Sequence, residues 1–151
     1  MSIYAPKKPS KFNRLNFTIA TVFLVLGYFG WWYLPSFYKV WTVTGAMASE
    51  CNAAYRTLDD NKLVERLVAA ARRVGLNTVG PDNFAVQRDP PTDAQLSAVT
   101  NDASRELLRK RGSAITIAFA VTLDLPWPLI GGSVQMSFER VRNAEMTALK
   151  Y

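Results

Sequence analysis

Between Arg14 and Lys39 the chain has no charged side chain, and residues 17–34 read Phe-Thr-Ile-Ala-Thr-Val-Phe-Leu-Val-Leu-Gly-Tyr-Phe-Gly-Trp-Trp-Tyr-Leu. A hydrocarbon core about 30 Å thick takes about 20 helical residues at about 1.5 Å each, so this run and its flanks are long enough to span one. A helix satisfies its own backbone groups within a bilayer, which is why a lone apolar run of this length reads as a span. The sequence predicts a basic tail over residues 1–14, a transmembrane helix over 15–38, a juxtamembrane helix over 39–58 and a folded extracytoplasmic domain over 59–151.

Charge sets the expected orientation. Lys7, Lys8, Lys11 and Arg14 precede the run, and no acidic residue occurs before Glu50. Basic residues beside a span tend to stay in the cytoplasm, so these four are the expected cytoplasmic anchor at a bacterial inner membrane, with the C-terminal domain outside. Removing those four from the 18 basic residues leaves 14 against 12 acidic ones, so the net charge of +6 describes a membrane-flanking tail. It does not describe a nucleic-acid-binding face.

The far end of the run is aromatic: Tyr28, Phe29, Trp31, Trp32, Tyr33, Phe37, Tyr38 and Trp41. Such rings favour the headgroup level, and Trp31, Trp32, Tyr33, Phe37, Tyr38 and Trp41 are the expected contacts with the membrane interface or a partner. Ala46-Met47-Ala48 has the small-x-small pattern of a signal cleavage site, but it lies well beyond the run, with Pro35 and large aromatics between. An uncleaved anchor is therefore expected. Gly27 and Gly30, three residues apart, are candidates for close approach of a second helix or simply two glycines in an ordinary span.

Beyond the run, apolar residues from Phe37 to Leu58 recur at three- and four-residue spacing, which predicts a helix over about 36–56, bent or ended near Pro35 and weakened at Gly45. Asp59 and Asp60 offer an N-cap for a second helix with the stripe Leu63, Val64, Leu67, Val68 and Ala71, closed by Arg72, Arg73 and Gly75. Residues 83–88 read as a short strand. Thr92 to Gln95 has the form of a capping box opening a helix to about Arg109, with Leu96, Val99, Ala103 and Leu107 on one side. Ile115, Ile117, Phe119, Val121 and Leu123 then alternate with small or polar residues as a strand, and Val134, Met136 and Phe138 alternate likewise in a partner strand. The expected fold is α+β: one N-terminal transmembrane helix, then a small antiparallel sheet of about three strands packed on two or three helices.

Chemistry is poorly provided for. There is no histidine, the commonest general base and metal ligand, and no phosphate-binding glycine loop. Asp59-Asp60 reads as capping, and Asp124 as an ordinary turn residue. Cys51 is the single cysteine, so no intrachain disulfide forms; it reads as a small apolar helix residue, with lipidation or redox as the other reading. No enzyme, cofactor or metal is expected.

Two segments read as contact surfaces. Pro126, Trp127, Pro128, Leu129 and Ile130 form a proline-stiffened loop that either docks a partner or folds back on its own sheet. Arg105, Arg109, Lys110 and Arg111 form a basic turn suited to anionic lipid, an acidic partner or plain solvent.

Pro35-Ser36-Phe37-Tyr38-Lys39-Val40 and the segment from Val121 through Pro126-Trp127-Pro128-Leu129-Ile130-Gly131-Gly132 to Val134 also carry a resemblance. The order of parts resembles a family of bacterial single-pass membrane proteins of uncharacterised function, with a pilin-like span, a small extracytoplasmic α+β domain and a P-L-x-G-type hairpin turn. This chain departs from that pattern by the insertion at residues 90–111 and by lacking an acidic residue near the start of the span. The resemblance implies an anchored extracytoplasmic domain and carries no catalytic residue. The expected role is a non-catalytic accessory subunit of a larger inner-membrane complex, touching lipid and other membrane subunits. The alternatives are a stand-alone anchored binding or homo-oligomeric module and, third, an enzyme using Ser/Lys or carboxylates.

Overall fold

The computed structural model describes residues 14–54, 56–127 and 131–145. Lys7, Lys8 and Lys11 of the tail and Pro128, Leu129 and Ile130 of the loop lie outside them. The chain divides into two compact units, Met1–Pro35 and Ser36–Tyr151, and the fold is α+β as the sequence predicts.

Helix α1 runs over Arg14–Ala53 with Pro35 inside it, so the expected transmembrane and juxtamembrane helices are one element. Proline deletes one backbone donor and crowds the turn before it, which costs stability and can bend a helix without ending it. Within the Ser36–Tyr151 unit, Val40, Val43, Thr44, Met47 and Cys51 make a buried stripe at helical spacing. Thr44 sits in this apolar stripe without an orphaned hydroxyl, because it donates to the Val40 carbonyl at 2.9 Å.

Helix α2, Asp60–Arg73, starts and stops where the sequence predicts. The Asp59 carboxylate accepts from the Asn61 and Lys62 amides, and Gly75 just past the end has φ +83°. Its buried residues are Leu63, Leu67, Val68 and Ala71.

The sheet has three antiparallel strands in the order β1 (Phe84–Asp89), β2 (Ala114–Pro126), β3 (Ser133–Glu145). Ile115, Ile117, Phe119 and Val121 of β2 join Phe84, Phe138 and the buried stripes of α1 and α2 in one core. Phe84 and Phe119, paired in register, stack at 4.8 Å. Each such large side chain contributes about 1.5–3 kcal/mol when fully buried. Of the expected inward residues on β3, only Phe138 is buried; Val134 is 43% and Met136 39% exposed.

The single helix expected from Thr92 to Arg109 is two: α3, Asp93–Ser97, and α4, Asp102–Arg111. The Asn101 side chain accepts from the Ala103 amide and so opens a new N-terminus. Arg105 braces the break, its Nε donating to the Val99 carbonyl at 2.6 Å. Neither helix has a buried residue, and Leu107 is exposed, so the sheet is covered by α1 and α2.

Arg88 ties this insertion to the core. Following Phe84 and Val86 at strand period, it falls on the covered face, where its guanidinium meets Asp60 Oδ1 at 2.6 and 2.8 Å. It also donates to the Thr57 and Arg111 carbonyls, each at 2.9 Å. One side chain thus links β1, the entry to α2 and the end of α4. At Gly112, φ is +83°, and a Cβ would lie 2.7 Å from the Asp89 carbonyl oxygen. Two outcomes are expected in urea unfolding of the detergent-solubilised chain. Arg88→Met should lower stability by about 2 kcal/mol through lost charge-assisted hydrogen bonds. Gly112→Ala should lower it by about 1–3 kcal/mol through backbone strain and the carbonyl clash.

Candidate functional site

The first unit is a helix with its apolar surface outward. Leu15, Phe17, Phe23, Leu24 and Leu26 are all exposed, and none of its most apolar 18-residue window is buried. By length and composition this helix can cross a membrane; an N-terminal signal sequence can be as long and as apolar as a span. Its hydroxyls are already satisfied, Thr18 donating to the Arg14 carbonyl and Thr21 to that of Phe17 at 3.0 and 2.9 Å. A helix bathed in hydrocarbon needs that internal pairing. Arg14 is exposed at the helix start.

The expected aromatic contacts divide between the units. Trp31 is 82% exposed and Trp32 also exposed, whereas Tyr33 is half-buried and stacks on Phe29 at 6.1 Å. Gly27 faces open space, while a Cβ on Gly30 would meet only the Leu34 side chain at 3.6 Å. In the second unit Tyr38 is exposed and Trp41 is 74% exposed. Phe37 is partly engaged, its ring edge-on to Phe138 at 5.3 Å.

Of the expected loop, Pro126 is the last residue of β2 and Trp127 follows it. Pro126 closes β2 against Ser133, and the Trp127 amide donates to the Gly132 carbonyl at 2.9 Å. Gly131 and Gly132 take the positive φ that the reversal needs. Trp127 is 38% exposed. Near it, Val134 and Met136 occupy the sheet face that carries Phe138, opposite Leu125 and Leu123. Sequence alternation placed these two in the core, so their exposure is what it missed. The available signal was length: β1 pairs β2 only as far as Phe84 with Phe119, leaving seven rungs of two-stranded ribbon beyond.

Among the described residues no group of three His, Cys, Asp or Glu side chains is placed to hold a metal. An open groove of about 630 Å³ is lined by Glu65, Val68, Ala69, Arg72, Arg73 and Pro81, a mixed-charge surface on α2. Of the expected basic turn, Arg105 is engaged in the α3–α4 link, and Arg111 lends its carbonyl to Arg88. Arg109 and Lys110 point into solvent at the end of α4.

No family model matches the chain, and neither a curated protein nor a solved structure does. The resemblance drawn from the short proline motifs is accordingly taken no further.

Cys51 is buried, its Sγ 3.7 Å from the Arg142 carbonyl oxygen. Burial pushes the thiol pKa up, against the smaller opposing effects of the Ile117 backbone and the Arg142 charge. A protonated, covered thiol is a poor nucleophile, which places Cys51 with the core. Its contribution is complete below the ordinary thiol range and is lost as pH rises through that range toward the raised folded value. Maleimide at pH 8 should label the folded chain roughly 100-fold more slowly than the urea-unfolded chain. Equal rates, read by mass spectrometry, would show the thiol accessible.

Proposed function

We propose that this chain is a single-pass, membrane-anchored protein acting as a non-catalytic accessory subunit of a larger bacterial inner-membrane assembly. In this reading the basic tail with Lys7, Lys8, Lys11 and Arg14 lies in the cytoplasm, and the Ser36–Tyr151 unit lies outside. The assembly is respiratory, photosynthetic, secretory or envelope-related, and the contacts are lipid and other membrane subunits.

One observation carries the anchor: Val40, Val43 and Met47 are at most 2% exposed in the core, and all precede Ala48. Cleavage after Ala46-Met47-Ala48 would strip the sheet of half its covering helix, at about 2–5 kcal/mol for each large side chain lost. This supports keeping the apolar helix in the mature chain. The accessory role is supported by where the surface is apolar. The helix before Pro35 exposes Leu15, Phe17, Phe23, Leu24, Trp31 and Leu34, and contiguous exposure of that kind marks membrane or partner contact. Trp31, at 82% exposed, is the ring best placed to meet a neighbouring span.

Native electrophoresis of mild-detergent extracts from the source membrane tests the reading. The tagged chain should migrate in a complex containing other chains in fixed ratio, and Trp31→Ala should release a substantial part of it. Migration as the single chain, or as a complex of this chain alone in a two-tag co-purification, would overturn the subunit role.

A further inference from the structure

The Ser36–Tyr151 unit has a direction. Phe37 packs on Phe138, while Cys51 lies beside Arg142. From Phe37 to Cys51 the helix rises about 21 Å, and from Phe138 to Arg142 the strand advances about 13 Å. As the chain leaves Ser36, α1 therefore runs away from the β2–β3 turn. The turn end of the ribbon and the Ser36 entry are at the same end of this unit. From Phe138 to Ser133 the ribbon projects about 17 Å beyond the ring contact.

That end is apolar on both elements. Tyr38 and Trp41 project from the first turns of α1 within the unit, and Trp127, Val134 and Met136 are exposed on the ribbon. The opposite face of the ribbon carries Thr122, Asp124, Gln135 and Ser137, so the apolar surface is one-sided. A two-stranded ribbon without a third strand is marginal in water; on this face Leu125 is buried, whereas Val134 and Met136 beside it stay exposed.

We infer that the bilayer covers this face: the β2–β3 ribbon end, through Trp127, Val134 and Met136, dips into the lipid interface as a second membrane contact beside the anchor. The inference rests on the anchored reading, since the apolar helix joins this unit at Ser36 and so brings the membrane surface to this end by connectivity. The residue types agree, because Trp and Tyr favour the headgroup level, and the aliphatic face of the ribbon lies next to them. The contact gives the folded unit a second attachment to the membrane.

The test uses the full chain with Trp31, Trp32 and Trp41 changed to Phe, reconstituted in phosphatidylcholine vesicles brominated near the headgroup end or near the middle of the acyl chain. Vesicle flotation first reads the anchor by itself; failure to float overturns the anchored reading and this inference with it. In floated vesicles, Trp127 emission should be blue-shifted and quenched more strongly by the shallow bromines than by the deep ones. Red-shifted, unquenched emission places Trp127 in water, and blue-shifted, unquenched emission places it against protein; either overturns the lipid contact while leaving the anchor standing. If the triple variant loses its circular-dichroism signature, the unaltered chain minus Trp127→Phe supplies the same Trp127 quenching with the other indoles in place.

Discussion

The structure outside the apolar run depends on one packing contact, the stripe Val40, Val43, Met47 and Cys51 of α1 laid on Ile117, Phe119 and Val121 of β2. A three-stranded sheet must bury one face, and α2 alone supplies Leu63, Leu67, Val68 and Ala71 for a face that also needs covering toward Phe138. The covering stripe belongs to the same helix as the apolar run, α1 continuing through Pro35. Cleavage after Ala48 would remove Val40, Val43 and Met47 from that core.

A second, smaller dependence is polar. The Arg88 guanidinium serves Asp60, Thr57 and Arg111 at once, so the surface helices α3 and α4 are held to the body by hydrogen bonds more than by buried apolar area. That distribution suits a segment whose own helices bury nothing. It also explains why Asp60 is not part of a reactive carboxylate pair: Asp59 caps α2, and Asp60 neutralises Arg88.

Much of this was legible in the residues, for physical reasons. The α2 cap and stop and the alternation of β2 are local signals, and local rules decided them. At Pro35 the residues allowed a bend, an end or a continuing helix, and α1 runs through it and through Gly45. The α3–α4 break lay in Asn101, whose capping ability was hidden inside a helical apolar spacing. Arg88 could have been found by parity, since it follows Phe84 and Val86 on the covered face, where a cation requires a carboxylate. The exposure of Val134 and Met136 depended on β1 stopping at Phe84, a tertiary fact that alternation cannot supply.

In the function we propose, the apolar helix stays on the chain as its anchor, and the same α1 continues into the core through Val40, Val43 and Met47. The most direct measurement is the N-terminal sequence and extraction behaviour of the mature protein in its source membrane. The mature chain should stay in the membrane fraction after alkaline carbonate washing and retain residues 15–38. A carbonate-soluble, folded chain beginning after Ala48 would contradict it.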